Sequence, residues 1–185
     1  GAKLVAKKIY VNPKATNTKA SNYQKNCHTY ASSTVTFKNC EIETGDLYAY
    51  KYGAIAMTLD GATISTMSGI TDTSFFTLND KADDNETCVL GDGGVTFNIK
   101  DNYGAGAKLK FGFPASGTGF FKKTGPYNMT FSSTYTQTYT GATIVEEGRL
   151  MNYDKTDKGG TVGHFPTNSP IVVKEGATLY IRYPD

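Results

Sequence analysis

Five copies of one four-residue unit limit what this chain can build. Gly-Ala-(Thr/Lys)-(Ile/Leu) stands at Gly1, Gly61, Gly106, Gly141 and Gly176. Glycine admits backbone angles closed to other residues, so it suits a corner. The β-branched and aliphatic residues behind it suit a strand. Each copy therefore reads as a corner feeding a strand. The tail shows it best: Ile171 to Val173 form a β-branched run, Glu175-Gly176 breaks it, and Leu179, Ile181 and Tyr183 alternate on one face. Thr143 to Tyr153 repeats that pattern about Glu147-Gly148.

Alternation of period two runs through much of the chain, and no 3.6-residue apolar stripe stands out. Strands are expected over Lys3–Val11, over Thr34–Ile42 with a corner at Lys38-Asn39, and over Leu47–Tyr52. Others are expected over Ala54–Ile64 with a turn at Asp60-Gly61, around Phe75, Phe76 and Leu78, and on both sides of Asp92-Gly93-Gly94. Leu109, Phe111 and Phe113 alternate up to Pro114. Met129–Thr140 is the longest clean alternation. Phe131, Ser133, Tyr135, Gln137 and Tyr139 share one face, and threonines and a serine share the other. Lys14–Tyr30, Asn79–Glu86, Asp101–Gly106, Ala115–Pro126 and Asp154–Ser169 read as turns or loops by composition.

The expectation is a single all-β domain over 1–185, part of a longer extracellular protein. Its 185 residues suffice for one core. Net charge is +2 with the lysines scattered, which makes no electrostatic case for nucleic acid or an anionic membrane. No apolar run approaches the ~20 residues of a membrane span, so no membrane insertion is expected. Of the three cysteines, Cys27 and Cys40 can pair, but Cys40 reads better as a small buried apolar residue. No C-x-x-C spacing is present, and His28 and His164 lie far apart, so no metal or cofactor is expected.

Two architectures fit: an antiparallel β-sandwich, and a right-handed parallel β-helix in which short strands stack coil upon coil. Three segments favour the helix. Phe37–Ile42 (F-K-N-C-E-I) resembles a strand–corner–strand coil of pectate-lyase-like proteins. Ile144–Met151 and Ile171–Ile181 resemble coils of bacterial surface adhesins and autotransporter passengers. Apolar starts at Val35, Ile55 and Phe75 suggest a coil of 20 residues.

Chemistry is thinly marked. A polysaccharide-active enzyme needs paired carboxylates in a cleft. The candidates are Asp60, Asp83, Asp84, Asp92, Glu146, Glu147, Asp154 and Asp157. The His-Gly and Arg-Ile-Lys motifs of β-helix galacturonases have only the inverted or truncated Gly163-His164 and Ile181-Arg182 as counterparts, so no catalytic residue is assigned. Asp80, Asp83, Asp84 and Glu86 are hard oxygen donors without the spacing of a calcium loop, and read as a solvated loop. Asn85 and Asn128 fit the glycosylation pattern.

The tyrosines are the strongest lead. Tyr48, Tyr50 and Tyr52 form one period-two ladder, and Tyr135 and Tyr139 form part of another. An exposed row of such rings can stack on sugar faces while its hydroxyls hydrogen-bond. The expectation is therefore a non-enzymatic adhesin or binding domain at the cell surface, taking glycan or protein on an exposed strand face. A structural spacer or assembly module of a surface or virion protein is the alternative, and a polysaccharide-active enzyme the second.

Overall fold

A computed structural model describes residues 1–11, 33–50, 54–69, 74–79, 86–101, 108–132, 135–152 and 165–181. Among them there is no helix. The described residues form sixteen strands. They are β1 (Ala2–Val11), β2 (Ser33–Lys38), β3 (Cys40–Tyr50), β4 (Ile55–Asp60), β5 (Ala62–Thr66) and β6 (Ser74–Asn79). Then come β7 (Thr87–Leu90), β8 (Val95–Asn98), β9 (Lys108–Gly112), β10 (Ala115–Gly117) and β11 (Phe121–Thr124). The last are β12 (Asn128–Phe131), β13 (Thr143–Val145), β14 (Arg149–Met151), β15 (Ile171–Val173) and β16 (Thr178–Tyr180).

Every described strand pair is parallel, as in the ladders β2–β4, β4–β7 and β7–β10 of the short sheet. The antiparallel sandwich therefore does not hold. The long sheet runs β15-β13-β11-β8-β5-β3-β6-β9-β12-β14-β16, with β1 beside β3. β3 turns a corner in mid-strand: its first half pairs with β5 and its second half with β6. From β4 to β12 one strand in the short sheet is followed by two in the long sheet, three times over, and after β2 the two halves of β3 take the place of the two.

Alternation decides what each strand buries. Ile55, Met57 and Leu59 point inward and Ala56 outward on β4. Parallel register then places like on like. Ile42 lies beside Ile64 and Ile64 beside Phe97, while Leu47 lies beside Phe76 and Phe76 beside Phe111. The centre of the core is a set of phenylalanines. Phe97 and Phe121 have ring centroids 5.1 Å apart, and Phe121 and Phe131 4.8 Å. Such pairs add about 0.5–1.5 kcal/mol each beyond the area they bury.

The corner between the two sheets is nearly all backbone. Amides bond from rung to rung there: Asn39 to the Asp60 carbonyl, Gly61 to Gly94, Val95 to Phe120. A Cβ on Gly141 would stand 2.2 Å from the Gly119 carbonyl oxygen, so only glycine permits that approach. Gly61 and Gly141, two of the five recurring units, fall at this corner. Gly176 falls at the other corner, before β16, and Gly106 lies outside the described residues.

Several expectations change. The apolar starts do not set a 20-residue coil: Val35 lies beside Met57, Met57 beside Cys88 and Cys88 beside Ala115, at unequal intervals. Ala115–Pro126 is not a loop but β10, a corner and β11, because strands of three or four residues are too short to show alternation. Met129–Thr140 is not one strand. β12 ends at Phe131, and 136–140 joins the short sheet through Thr138 and Thr140 amides on the Ala115 and Gly117 carbonyls. Cys40 is a free thiol, in keeping with the reading that left it unpaired, but it is only partly buried where burial was expected; Cys88 is free and buried, and Cys27 lies outside the described residues.

Candidate functional site

The tyrosine ladders do not survive as a set. Tyr139 is 0% exposed and stacks on Phe121 with centroids 6.0 Å apart. Its hydroxyl shares a 2.7 Å hydrogen bond with Thr143 Oγ1, and burial pushes the phenol above its ordinary range. It is a core residue, not part of an exposed row. Alternation assigns two faces correctly over 135–140 but not over 129–131, where three successive residues are buried, and the ring face is the inner one: Gln137, also buried, gives its side-chain amide to the Phe113 and Tyr135 carbonyls. Tyr135 is partly exposed. Tyr48 and Tyr50 lie on β3, beside Thr77 and Asn79 of β6, and Tyr52 lies outside the described residues.

What faces out instead is the other half of the alternation on the short sheet. Register aligns two columns of outward residues. The first holds Thr34, Ala56 and Thr87, and Thr136 on the last rung has the same outward parity. The second holds Thr36, Thr58, Val89 and Ser116, with Thr138 bonded to the Ala115 carbonyl at its end. Neither set contains a charge or a ring. Among the described residues the hydroxyls of Thr34, Thr36, Thr58, Thr87 and Thr136 make no hydrogen bond to protein. Those of Ser116, Thr138 and Thr140 make long ones to backbone carbonyls, at 3.3–3.5 Å. The array is legible in the sequence as T-V-T at 34–36 and T-Q-T-Y-T at 136–140, where a tyrosine between the threonines carries the stronger binding signal.

Three of the described candidate acids, Asp60, Asp92 and Glu146, are engaged locally. Asp60 pairs with Lys38 at 2.9 Å and accepts the Gly93 amide at 2.8 Å. Lys38, then that amide, hold the Asp60 carboxyl below its ordinary value. Asp92 accepts the Thr118 hydroxyl at 2.9 Å, and Glu146 lies 3.8 Å from Lys122. Among the described residues no three His, Cys, Asp or Glu side chains group as metal donors. Glu86 is buried, at 6% exposure, which corrects its placing in a solvated loop. Asp80, Asp83, Asp84, Asp154, Asp157 and His164 lie outside the described residues.

One buried group carried no sequence signal. Lys122 and Lys123 are adjacent on β11, so one faces out and the other in. Lys123 is 0% exposed and occupies the core column between Phe97 and Val145. Its Nζ donates to the carbonyls of Gly125 and, at 2.8 Å, Glu147, which belong to the turns of two successive rungs. Burial lowers its amine from the ordinary 10.5 to about 8, against the opposing charge of Glu147.

No family model, curated protein or solved structure matches the chain.

Proposed function

We propose that the chain is a right-handed parallel β-helix that serves outside the cell as a non-enzymatic binding domain, taking a glycan or a surface protein on one exposed strand face. The recurring order of one short-sheet and two long-sheet strands supports the coiled architecture. Parallel strands joined by a crossover within one sheet are right-handed in nearly all proteins, which supports the hand. The observation that carries the binding reading is the outer face of the short sheet: two columns without charge or ring, bordered by the Lys38–Asp60 pair at the ends of β2 and β4, in which five threonine hydroxyls make no hydrogen bond to the described protein. The face replaces the tyrosine ladder as the expected contact.

One observation favours the second reading, a structural or assembly module. The outermost strands β15 and β16 leave Ile171, Val172, Val173 and Tyr180 between 39% and 45% exposed. A screen of glycans and surface proteins with wild type and Thr58→Lys separates the two. Binding by wild type that the folded Lys variant lacks is expected. Binding that the variant keeps in full removes the short sheet as the contact, and no binding by wild type transfers support to the assembly module.

A further inference from the structure

We infer that the outer face of the short sheet binds ice, with ordered water as its ligand. The inference rests on the reading of that face as the binding surface and gives it a specific occupant. Ice offers no charge, no sugar ring and no peptide. It offers a two-dimensional lattice of oxygens, each able to give or take a hydrogen bond. A protein face that engages it needs the same qualities: fixed repeats in two directions, groups that both donate and accept, rigid side chains and no ions.

The two outward columns of the short sheet have each of them. Parallel register fixes one repeat, roughly 4.8 Å from strand to strand, and the pleat fixes the other, roughly 6.7 Å from residue i to i+2. Both lie close to the oxygen repeats of an ice prism face. Thr34 and Thr36 on β2, Ala56 and Thr58 on β4, and Thr87 and Val89 on β7 stand at these positions in unbroken register. Ser116, Thr136 and Thr138 extend the array over two more rungs. A threonine hydroxyl both donates and accepts, so it joins a water network of either polarity. Its branched Cβ restricts χ1, which holds hydroxyl and methyl at set points. The methyls, with Ala56 and Val89, leave shallow apolar gaps between hydroxyls in which water orders.

Charge argues the same way. Ions orient water about themselves and break a lattice, and the two columns contain none. On the same outward face Lys38 and Asp60 end β2 and β4, two positions beyond Thr36 and Thr58, and pair with each other at 2.9 Å, so the array is bordered by a balanced pair. Rings also argue for water. A platform for crystalline polysaccharide stacks aromatic side chains on pyranose faces, and neither column holds an aromatic residue.

The test is ice-crystal morphology and thermal hysteresis with the full chain. Wild type is expected to shape crystals and depress their growth temperature. Thr58→Lys, in the middle of the array, is expected to lose both. Thr36→Lys, on the strand at the edge of the short sheet, serves the same purpose if the first variant fails to fold. Thr58→Val, which keeps the branched shape without the hydroxyl, is expected to retain part of the activity. Thr96→Lys, on the long sheet, is expected to retain all of it. A folded wild type that leaves ice unshaped overturns the inference, as does full activity in both Lys variants of the array. Retention on cellulose or chitin without ice shaping also overturns it, while leaving the short sheet as a binding face. The glycan and protein screen decides that broader reading independently.

Discussion

The middle of the stack and its last rung are written in the same residue types and live in different surroundings. Phe111 touches Phe76, Phe97, Phe113, Phe121 and Phe131, with ring centroids 5.2–6.2 Å away, and is 0% exposed. Ile171, Val172 and Val173 are as apolar as any strand in the chain, yet each is about two-fifths exposed. Inward or outward facing is set within a strand by alternation. Depth of burial is set by the rungs on either side, because each rung shields the next. Stability in such a stack is therefore distributed along its axis, and equal side chains contribute unequally.

Three measurements break or sharpen that contrast. Phe111→Ala is expected to cost about 3–5 kcal/mol in denaturant unfolding, since it opens a cavity bounded by five rings. A loss below about 1 kcal/mol would show that the rings repack and that mid-stack position confers no special weight.

Lys123 comes next. The folded chain releases its proton at about 8, whereas the unfolded chain holds it to the ordinary 10.5. Between those values the unfolded state carries the extra proton, so stability rises with pH across the window. Lys123→Met is expected to flatten that rise, with a change under about 2 kcal/mol at neutral pH, because lost carbonyl bonds and relieved desolvation oppose each other. A rise of equal size in the variant would assign the pH dependence to other groups.

Val172→Ala is expected to change stability by about 0.5 kcal/mol or less, in keeping with its exposure. A cost close to that of Phe111→Ala would mean that another surface covers β15 in solution, and the contrast between middle and end would disappear.

Local pattern was the legible part of this fold. The turn at Asp60-Gly61, the inward Ile55, Met57 and Leu59, and the strands around Glu147-Gly148 and Glu175-Gly176 follow from glycine placement and alternation alone. Three things were not legible. Strand direction leaves no trace in alternation, so parallel ladders and an antiparallel sandwich read alike. Strands as short as β10 and β11 lack room for a period to appear. The inner face of an alternating segment is ambiguous when both faces are chemically plausible, as with Tyr139 beside Thr138 and Thr140. Volume is the cue that decides it: a narrow stack fills its centre with rings and leaves small β-branched residues outside. Lys123 breaks every such rule, and only register reveals why it is tolerated.

Cys88 adds a property of a different kind. It sits between Met57 and Ala115 in the core column of the short sheet, 0% exposed, with its thiol pushed up to about 12 by burial. A thiol-directed reagent can reach it only while that sheet is parted. Its modification rate in the native protein therefore counts openings of the short sheet, and the chain carries its own clock for breathing beneath the threonine array.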